Sequence, residues 1–452
     1  MASTNYAIEI DSIILYKFGS LISGIPSVPD KRNSLDITPQ VQEISIYESI
    51  FSPVMKCELA VYDYIGLFVN FPLSGEEAVF IRYRNIRDDT YVTLYFIIDT
   101  IDAINASDTG REVGFILNCV AMESYANAKQ TVQQAYKDTI PNIVQKIYDE
   151  HIEGRLKKVF PQYRSRVIYK ENTDNLEGTV VIPNLSPFAA IDMLADMCVS
   201  ETEDRYTYLF FQTSEFYNFV TMQGLFDFTS RGNQRRVAQQ YGYIYNSHEV
   251  PKPGSPSYND GRYITNLIFN KRQSSFQKLA TGYFHNNLFE INIAQKAVWG
   301  EPTFLEKIKT IYPNKLNTDT YTALAPVEAA DDEISNRTKY VVSSQRENDS
   351  EFPISRFRMK WGKDLIATIG MSQVDLTVTI PGTSRFKAGD LFYAEIPEMH
   401  GFNQVKADDL VSNLFLITEV KQVMHIGSFH TTVLRINKDS YFTSIDRESR
   451  YV

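Results

Sequence analysis

Residues Ile44 to Tyr83 read ISIYESIFSPVMKCELAVYDYIGLFVNFPLSGEEAVFIRY. Apolar and polar side chains alternate in this stretch, as they do along a β-strand with one buried face. We expect one strand over residues 56–63, a turn at 71–75 and a second strand over 79–84. On the first strand, one face consists of Cys57, Leu59, Val61 and Asp63, and the other of Lys56, Glu58, Ala60 and Tyr62. The pattern is typical of a β-ribbon in a twisted sheet or barrel, and not of a reaction centre.

The composition is that of an ordinary globular protein. The 452 residues are 43% hydrophobic and 22% charged, which is enough for two to four domains with their own cores. Tyrosine and phenylalanine number 28 each against 2 tryptophans, a bias that suits β-sheets and wide protein contacts. The net charge of −10 argues against wrapping nucleic acid. It fits either a passage to which DNA must not stick or simple solubility.

The three cysteines, Cys57, Cys119 and Cys198, form no CxxC pair, so the sequence predicts neither a disulfide framework nor a thiolate metal site. Assembly in a reducing cytosol is the expectation. The N-terminal residues lack the basic run and apolar core of a signal peptide. No apolar run approaches the roughly 18 residues of a membrane helix, so no membrane-spanning segment is expected.

The order of predicted elements defines a mainly β (α+β) chain. Residues 1–122 carry almost only strand signals, and residues 351–441 return to strands after a mixed α/β region over 123–350. Within that region, helices are predicted over 139–151 and 186–199, each with a proline in its first turn. The apolar face of the second helix consists of Phe188, Ile191, Leu194, Ala195 and Cys198.

Later segments contain long exposed loops, at 230–262 and 314–351. A further helix is predicted to start near Pro302, with Phe304, Leu305, Ile308 and Ile311 facing inward. The middle region is expected to lend strands to the C-terminal β unit, and residues 442–452 form a tail. The two β ends could be distant copies of one module.

No motif of a common catalytic class is present, neither GxSxG, HExxH, GxxxxGK[ST] nor GxGxxG. Paired carboxylates occur in predicted turns, as Glu76-Glu77, Asp88-Asp89, Asp331-Asp332 and Asp408-Asp409. Only His425 and His430 are close in sequence, and we assign them a surface or turn-capping role in preference to a metal site. The basic cluster of Arg231, Arg235 and Arg236 is interpreted as a solvated loop or an ion-pair partner. The sequence therefore predicts no enzyme and no cofactor.

The polar positions of the strand at 373–380 leave two readings open. Asp375, Thr377 and Thr379 alternate with Val374, Leu376, Val378 and Ile380. The polar row could line a water-filled lumen, or it could be the outer face of a sheet that no partner covers.

A set of motif positions is spread over residues 44–437: Tyr47, Glu48, Phe51, Pro53, Asp63, Gly75, Glu76, Pro187, Phe188, Gly382, Gly389, Asp390 and His425. Together these motifs resemble the baseplate hub proteins of contractile-tailed bacteriophages, which are related to the hub part of secretion-system spike proteins. The loops at 230–262 and 314–351 depart from the resemblance.

The resemblance implies two tail-tube-like antiparallel β-barrels, at 1–122 and 351–441, separated by the mixed α/β insert. It implies a homotrimer whose six barrels dock beneath the sixfold tail tube while the other end holds the threefold central spike. The partners would be the tail tube protein, the central spike protein and other baseplate proteins, in a virion assembled in the host cytoplasm. DNA would pass through the lumen without specific binding, and no catalytic residue is carried over. In such a trimer, Asp375, Thr377 and Thr379 would face the channel.

Three alternatives stay open at this point. The chain could be the hub of a phage-like injection or secretion system, through which effectors or no DNA would pass. It could be a tail-associated peptidoglycan hydrolase. It could also be a carbohydrate-binding β protein of the virion surface, for which the aromatic content is the sole support.

Overall fold

A computed structural model describes most of the β units and part of the middle region. The described residues are 8–17, 33–86, 89–106, 113–160, 163, 166–173, 178–198, 200–201, 205, 207–226, 243–245, 261–272, 285–293, 296–304, 338–343, 371, 374–396, 408, 411–426 and 429–439. The cluster at 231–236 and the tail at 442–452 lie outside them, as do most of the two long loops.

Strands dominate the described chain. They are β1 (Ile8–Tyr16), β2 (Ser34–Asp36), β3 (Val41–Ser49), β4 (Lys56–Asp63), β5 (Ala78–Asn85), β6 (Thr90–Ala106), β7 (Val113–Ala121), β8 (Val132–Asp138), β9 (Ile168–Lys170), β10 (Gly178–Leu185), β11 (Tyr208–Gln212), β12 (Tyr217–Thr221), β13 (Tyr243–Tyr245), β14 (Tyr263–Ile264), β15 (Asn266–Arg272), β16 (His285–Asn292), β17 (Ala297–Phe304), β18 (Thr338–Ser343), β19 (Val374–Pro381), β20 (Leu391–Glu395), β21 (Asn413–His425) and β22 (His430–Lys438). The helices are α1 (Leu67–Asn70), α2 (Glu123–Lys129), α3 (Ile140–Ile147), α4 (Gly154–Val159) and α5 (Pro187–Met197). The prediction of a mainly β chain is confirmed.

The N-terminal unit is an antiparallel sheet with strand order β3-β4-β7-β6-β5-β1-β2. Its strands form because every second side chain is apolar and faces one core. Cys57, Leu59, Val61 and Asp63 of β4 are all buried, as the alternation predicts. With the buried side chains of the neighbouring strands they enclose the N-terminal core, which includes Ile44, Ile81, Leu94 and Leu117.

The C-terminal unit combines late strands with strands from the middle of the chain. β19 pairs with β22, β22 with β21, and β21 with β20, all antiparallel. From the middle region, β15 pairs with β19 and β13 pairs with β20. The C-terminal core lies on one side of these strands and includes Leu376, Val378, Phe415, Leu434 and Ile436.

The two units share one sheet of 14 strands. The junction is the antiparallel pair of β3 and β21, from Ser49 opposite Glu419 to Glu43 opposite His425. The described pairings show large antiparallel sheets. Closure of the two units into barrels stays a prediction, because β2 pairs only with β1 among the described strands.

The middle region packs helices and short sheets around its own core. α3 is followed by a π-helical turn at Tyr148–Glu153 and by α4, and α5 begins with Pro187 after the extended residue Ser186. The predicted helices at 139–151 and 186–199 are confirmed. The middle core includes Ile143, Ile147, Ile191, Leu194 and Tyr217.

The helix predicted from Pro302 is wrong where it can be checked. Pro302 and Phe304 lie in β17, where Pro302 is opposite Asn287 of β16 and Phe304 is opposite His285. A short apolar run with a leading proline does not distinguish a helix from a strand, and cross-strand pairing decided the outcome. Leu305, Ile308 and Ile311 lie outside the described residues.

Candidate functional site

The side of the shared sheet opposite the two cores is largely polar, with a few apolar positions such as Val433 and Ile116, and it crosses the junction. It belongs to eight consecutive strands in the order β15-β19-β22-β21-β3-β4-β7-β6. We call it the polar face. Its side chains alternate with core residues and include Asn270, Asp375, Thr377, Thr379, Arg435, Glu419, Lys421, Tyr47, Lys56, Glu58, Asn118, Thr100 and Asp102.

An ion-pair network holds the C-terminal part of the polar face. The Arg435 Nη2 lies 2.8 Å from Asp375 Oδ2, and Arg435 Nη1 lies 3.2 Å from Glu419 Oε1. Asn270 Nδ2 donates to Asp375 Oδ1 at 3.1 Å and to Thr377 Oγ1 at 2.7 Å. The hydrogen bonds that Arg435 donates to the Asp375 carboxylate raise the pKa of Arg435 above its usual range. The network links β15, β19, β22 and β21 across one surface.

A second network crosses the junction into the N-terminal unit. The Tyr47 hydroxyl donates to Glu58 Oε2 at 2.8 Å, and Lys421 Nζ lies 5.0 Å from the centre of the Tyr47 ring. Burial alone would lower the pKa of Lys421, but the contacts with Tyr47 and Glu58 raise it. A groove of about 570 Å³ runs along this junction and is lined by Lys56, Lys421, Arg435 and Glu419 among others. The polar face is thus of mixed charge and internally paired.

The far end of the polar face is also hydrogen-bonded. Asn118 Nδ2 of β7 donates to Thr100 Oγ1 at 3.0 Å and to Asp102 Oδ2 of β6 at 2.5 Å. Cross-strand polar pairs of this kind fix side chains on a wet surface.

The three predicted channel residues lie on the polar face. Thr377 and Thr379 are half-buried, whereas Asp375 is only 5% exposed because Arg435 and Asn270 cover its carboxylate. The alternation in sequence therefore placed these residues on one face. Their exposure to a channel stays a prediction.

Glu48 ties the junction to the middle region. Its buried carboxylate accepts hydrogen bonds from the Ser214 amide at 2.9 Å and from the Ala388 amide at 3.2 Å. Lys387 Nζ donates to the Ser214 hydroxyl at 2.5 Å. β3, the turn after β11 and the turn before β20 are thereby held together, so the junction is a fixed element of the fold.

Other motif positions have structural roles in turns and caps. Asp63 accepts the Ile65 amide at 3.0 Å and the Leu67 amide at 2.5 Å, which closes the turn before α1. Phe188 is buried against the middle core directly after Pro187. Phe51, in contrast, is 60% exposed in the turn after β3, which also contains the half-buried Pro53.

The C-terminal motif positions lie in close contacts. Gly389 has φ +88° and lies against the Phe211 ring, so a side chain would be strained there. Asp390 accepts the Lys387 amide at 2.9 Å. His425 Nε2 lies 3.2 Å from Glu43 Oε2 across the junction.

Gly382 and His430 form a second contact between the two units. The His430 side chain is buried, with Nε2 2.7 Å from Gln422 Oε1 and Nδ1 3.1 Å from Asn85 Nδ2. A Cβ at Gly382 would lie 2.1 Å from the His430 ring. The predicted surface or turn-capping role of His430 is therefore wrong, because its neighbours come from distant strands that a sequence does not reveal.

The turn after α1 contains a buried carboxylate in the Glu76-Glu77 pair, for which the sequence predicted only a place in a turn. Gly75, with φ +83°, and exposed Glu76 precede Glu77, which is fully buried. Glu77 accepts hydrogen bonds from the Ser74 amide at 3.0 Å and the Gly75 amide at 3.0 Å, and from Lys17 Nζ at 2.6 Å. The sequence signal for a buried acceptor here is the Ser74-Gly75 turn, because its backbone amides need a hydrogen-bond acceptor.

Replacing Glu77 with glutamine is expected to lower the free energy of unfolding by about 1–3 kcal/mol at pH 7. Burial alone would raise the pKa of Glu77, but the bonds from Lys17 and Ser74 lower it below its usual value. The carboxylate therefore stabilises the fold above the pKa of the unfolded chain, and this contribution is lost as the pH falls through the folded value. Urea unfolding at pH 7 and at about pH 3 measures both effects.

The exposed neighbour supplies the control for this substitution. Glu76→Gln is expected to change stability by less than about 0.5 kcal/mol at either pH. Equal losses for Glu76→Gln and Glu77→Gln at pH 7 would show that Glu77 is not the acceptor of the turn.

Within the described residues, no group of three or more histidine, cysteine, aspartate or glutamate side chains is arranged to hold a metal ion. None of the helices in the described part of the chain has the length and apolar character needed to cross a membrane.

No protein-family model and no curated protein matches the sequence, but solved structures match its fold. A tail protein from Neisseria meningitidis MC58 matches with a TM-score of 0.53 at 11% identity, over 96% of this chain and 97% of that one. The 43 kDa tail protein of prophage MuSo2 from Shewanella oneidensis matches with a TM-score of 0.49 at 10% identity, over 95% and 98%. The Escherichia coli c3393 protein, a type VI secretion system component, gives 0.42 at 10% identity, over 97% and 80%.

The chain thus has the fold of the Neisseria tail protein along nearly its whole length. This likeness, at 11% identity to the Neisseria protein, is one of fold: mainly β, with large antiparallel sheets.

Proposed function

We propose that the protein is the structural hub of a phage tail baseplate, a homotrimer that adapts the sixfold tail tube to the threefold central spike. The observation that carries this proposal is the polar face, one continuous wall to which each β unit contributes four strands. Two units per chain give six around a threefold axis, which matches a sixfold tube. The units correspond to residues 1–122 and 351–441, and the second is completed by strands such as β15 from the region 123–350 between them; residues 442–452 form a tail.

The dimensions of such a ring suit a channel. Three copies of the wall β15-β19-β22-β21-β3-β4-β7-β6 give twenty-four strands. At the usual spacing between neighbouring strands, their circumference is roughly 115 Å and the diameter at the backbone roughly 37 Å. Inward-facing side chains make the open channel narrower than this backbone diameter, and a DNA duplex still fits inside it.

The chemistry of the polar face suits transit better than binding. Lys421 stacks on Tyr47, and Arg435 is paired with Asp375 and Glu419, so these two cations of the wall are held by its own groups. A chain with a net charge of −10 offers few free positive charges for phosphates. Asp375, Thr377 and Thr379 would belong to the channel wall, and DNA would pass without specific binding.

The partners in this proposal are the tail tube protein, the central spike protein and other baseplate proteins. The role is structural and not enzymatic, which is supported by the likeness in fold to tail proteins. The protein would be part of the virion and would assemble in the host cytoplasm. Its three cysteines are all buried thiols, in keeping with that compartment.

A cysteine at Thr379 tests the channel. In the unassembled chain, Thr379→Cys should react with a small maleimide and with a maleimide on a bulky polymer. Because the three native cysteines are buried, the labelling reports on position 379. After assembly with the tube and spike proteins of the same phage, the polymer reagent should be excluded. Equal reactivity with the polymer before and after assembly, in complexes verified by electron microscopy, would contradict the proposal.

A further inference from the structure

Two of the three cysteines face each other across neighbouring strands of the N-terminal unit. Cys57 of β4 lies directly opposite Cys119 of β7 in the antiparallel register. Both side chains belong to the N-terminal core, where they are 1% and 2% exposed, and neither is in a disulfide. Cys198 lies in the middle core. The chain therefore contains one matched pair of thiols and one thiol outside it.

The register also gives the separation of the pair. The Ala121 amide donates to the Met55 carbonyl at 2.9 Å, and these two residues continue the register of β4 and β7 by one position. Hydrogen-bonded and non-hydrogen-bonded pairs alternate along an antiparallel ladder, so Cys57 and Cys119 form a hydrogen-bonded pair. The Cα atoms of such a pair are about 5.5 Å apart, within the range of roughly 4.4–6.8 Å that a disulfide allows.

We propose that Cys57 and Cys119 are a redox pair that forms a cross-strand disulfide after the protein leaves the reducing cytosol. The two side chains lie on one face of the sheet and at one level of the ladder, so the sulfur atoms can meet without a change in the path of the chain. The proposed function supplies only the change of compartment. The chemistry depends on the pair alone.

The oxidant in this proposal is a peroxide, which is small enough to enter the core during a local opening of the strands. One thiolate attacks an oxygen of hydrogen peroxide, which forms a sulfenic acid and releases hydroxide. The thiolate of the second cysteine then attacks the sulfenic sulfur, so the S–O bond breaks, the S–S bond forms and hydroxide leaves. In total the two thiols lose two electrons and two protons, and hydrogen peroxide becomes two water molecules.

Burial makes the reaction slow. It raises the pKa of both thiols, and the neighbouring Cys119 raises the pKa of Cys57 further. Little thiolate is therefore present at neutral pH while the strands are paired. The same burial shields the product, because a disulfide in the core is reached by a reductant only when β4 and β7 open.

The hydrogen-bonded position makes the disulfide reversible. Side chains of such a pair are farther apart than those of the alternate pair type, so β4 and β7 must move closer to form the bond. A disulfide that forces such a movement is strained and more easily reduced, which is the property of labile, regulatory disulfides. The pair is thus a slow and reversible switch and not a permanent structural bridge.

The place of the pair gives the disulfide a role in the exported protein. β4 and β7 are neighbouring strands of the polar face, and β4 also pairs with β3 at the junction. Hydrogen-bonded strands separate under load, whereas a covalent link keeps β4 and β7 joined. The oxidised N-terminal unit therefore holds its central strands together outside the cell.

Oxidation of the purified full chain, followed by thiol counting, tests the proposal. The protein is treated with hydrogen peroxide and then unfolded in the presence of N-ethylmaleimide. The reduced protein takes up three maleimides, one for each cysteine. The oxidised protein should take up one, on Cys198, and a peptide map without reductant should show Cys57 joined to Cys119. Dithiothreitol added before unfolding should restore all three adducts.

Two variants serve as controls. Cys198→Ala should form the same linked peptide and take up no maleimide after oxidation. The double variant Leu117→Cys/Cys119→Ala keeps two buried thiols on one face of the sheet but moves one of them opposite Leu59, so it should give no linked peptide.

The wild-type results decide the proposal. Uptake of three maleimides after peroxide treatment, oxidation of Cys57 and Cys119 to sulfinic acids without a linked peptide, or a link that involves Cys198 would overturn it. A disulfide already present in protein alkylated at the moment of cell lysis would also overturn the switch. Because the isolated chain is tested, these outcomes are independent of the proposed trimer, which fails or stands by its mass in solution.

Discussion

Glu123→Ala is expected to lower the free energy of unfolding by about 3–5 kcal/mol. Glu123 is 1% exposed, and its Oε1 accepts hydrogen bonds from Tyr163 at 2.8 Å, Arg166 at 3.1 Å and Gln212 at 3.0 Å. Removal of the carboxylate leaves the guanidinium of Arg166 buried without its counter-charge. Because Gln212 also accepts the Met55 amide at 2.9 Å, the loss extends to the contact between the middle region and the N-terminal unit. Urea unfolding measures the change.

Glu153→Ala is the matched control. Glu153, whose side chain is 18% exposed, pairs with the more exposed Lys157 one helical turn later, and such pairs contribute less than about 0.5 kcal/mol. Equal losses of stability for the two variants would mean that the buried Glu123–Arg166 ion pair does not stabilise the fold more than an ordinary helical pair.

Gly382→Ala is expected to cost about 3 kcal/mol, because the added methyl group needs space that the His430 ring occupies. His430 cannot move aside without breaking its bonds to Gln422 and Asn85, and both partners are buried. The loss therefore combines overpacking with at least one unsatisfied buried group. Thermal unfolding should give a correspondingly lower midpoint.

Gly114→Ala in β7 separates the close contact from a general effect of alanine in a strand. A Cβ at Gly114 meets nothing within 4 Å, so we expect a change of less than about 0.5 kcal/mol. If Gly114→Ala destabilised the protein as much as Gly382→Ala, the contact with His430 would not be the cause.

Local periodicity predicted the parts of the fold that depend on near neighbours. The alternation over 56–63 gives β4 with the expected buried face, because one side of the strand packs on a core. α5 begins at Pro187 and buries the expected apolar face, because proline fits the first turn and the side chains recur every three to four residues.

The shared sheet could not be predicted, because it depends on pairing between distant segments. β3 and β21 are separated by most of the chain, and nothing in either strand specifies the other as its partner. Asp375 was correctly placed on the polar side of its strand. Its burial, however, results from Arg435, a partner 60 residues away.

The sequence also did not predict which individual carboxylates accept hydrogen bonds. Of the pair at the turn after α1, Glu76 matched the motif, yet Glu77 makes the hydrogen bonds. Which of two adjacent glutamates points inward depends on the register of β5, and register is set by pairing and not by composition.

The molar mass of the protein in solution, alone and with the spike protein of the same phage, tests the central claim most directly. The proposal predicts a homotrimer of about 155 kDa, three times the 51.8 kDa of the chain, that binds one spike trimer. Light scattering coupled to size-exclusion chromatography resolves this from a monomer or dimer. A protein that stays monomeric in both conditions would contradict the account.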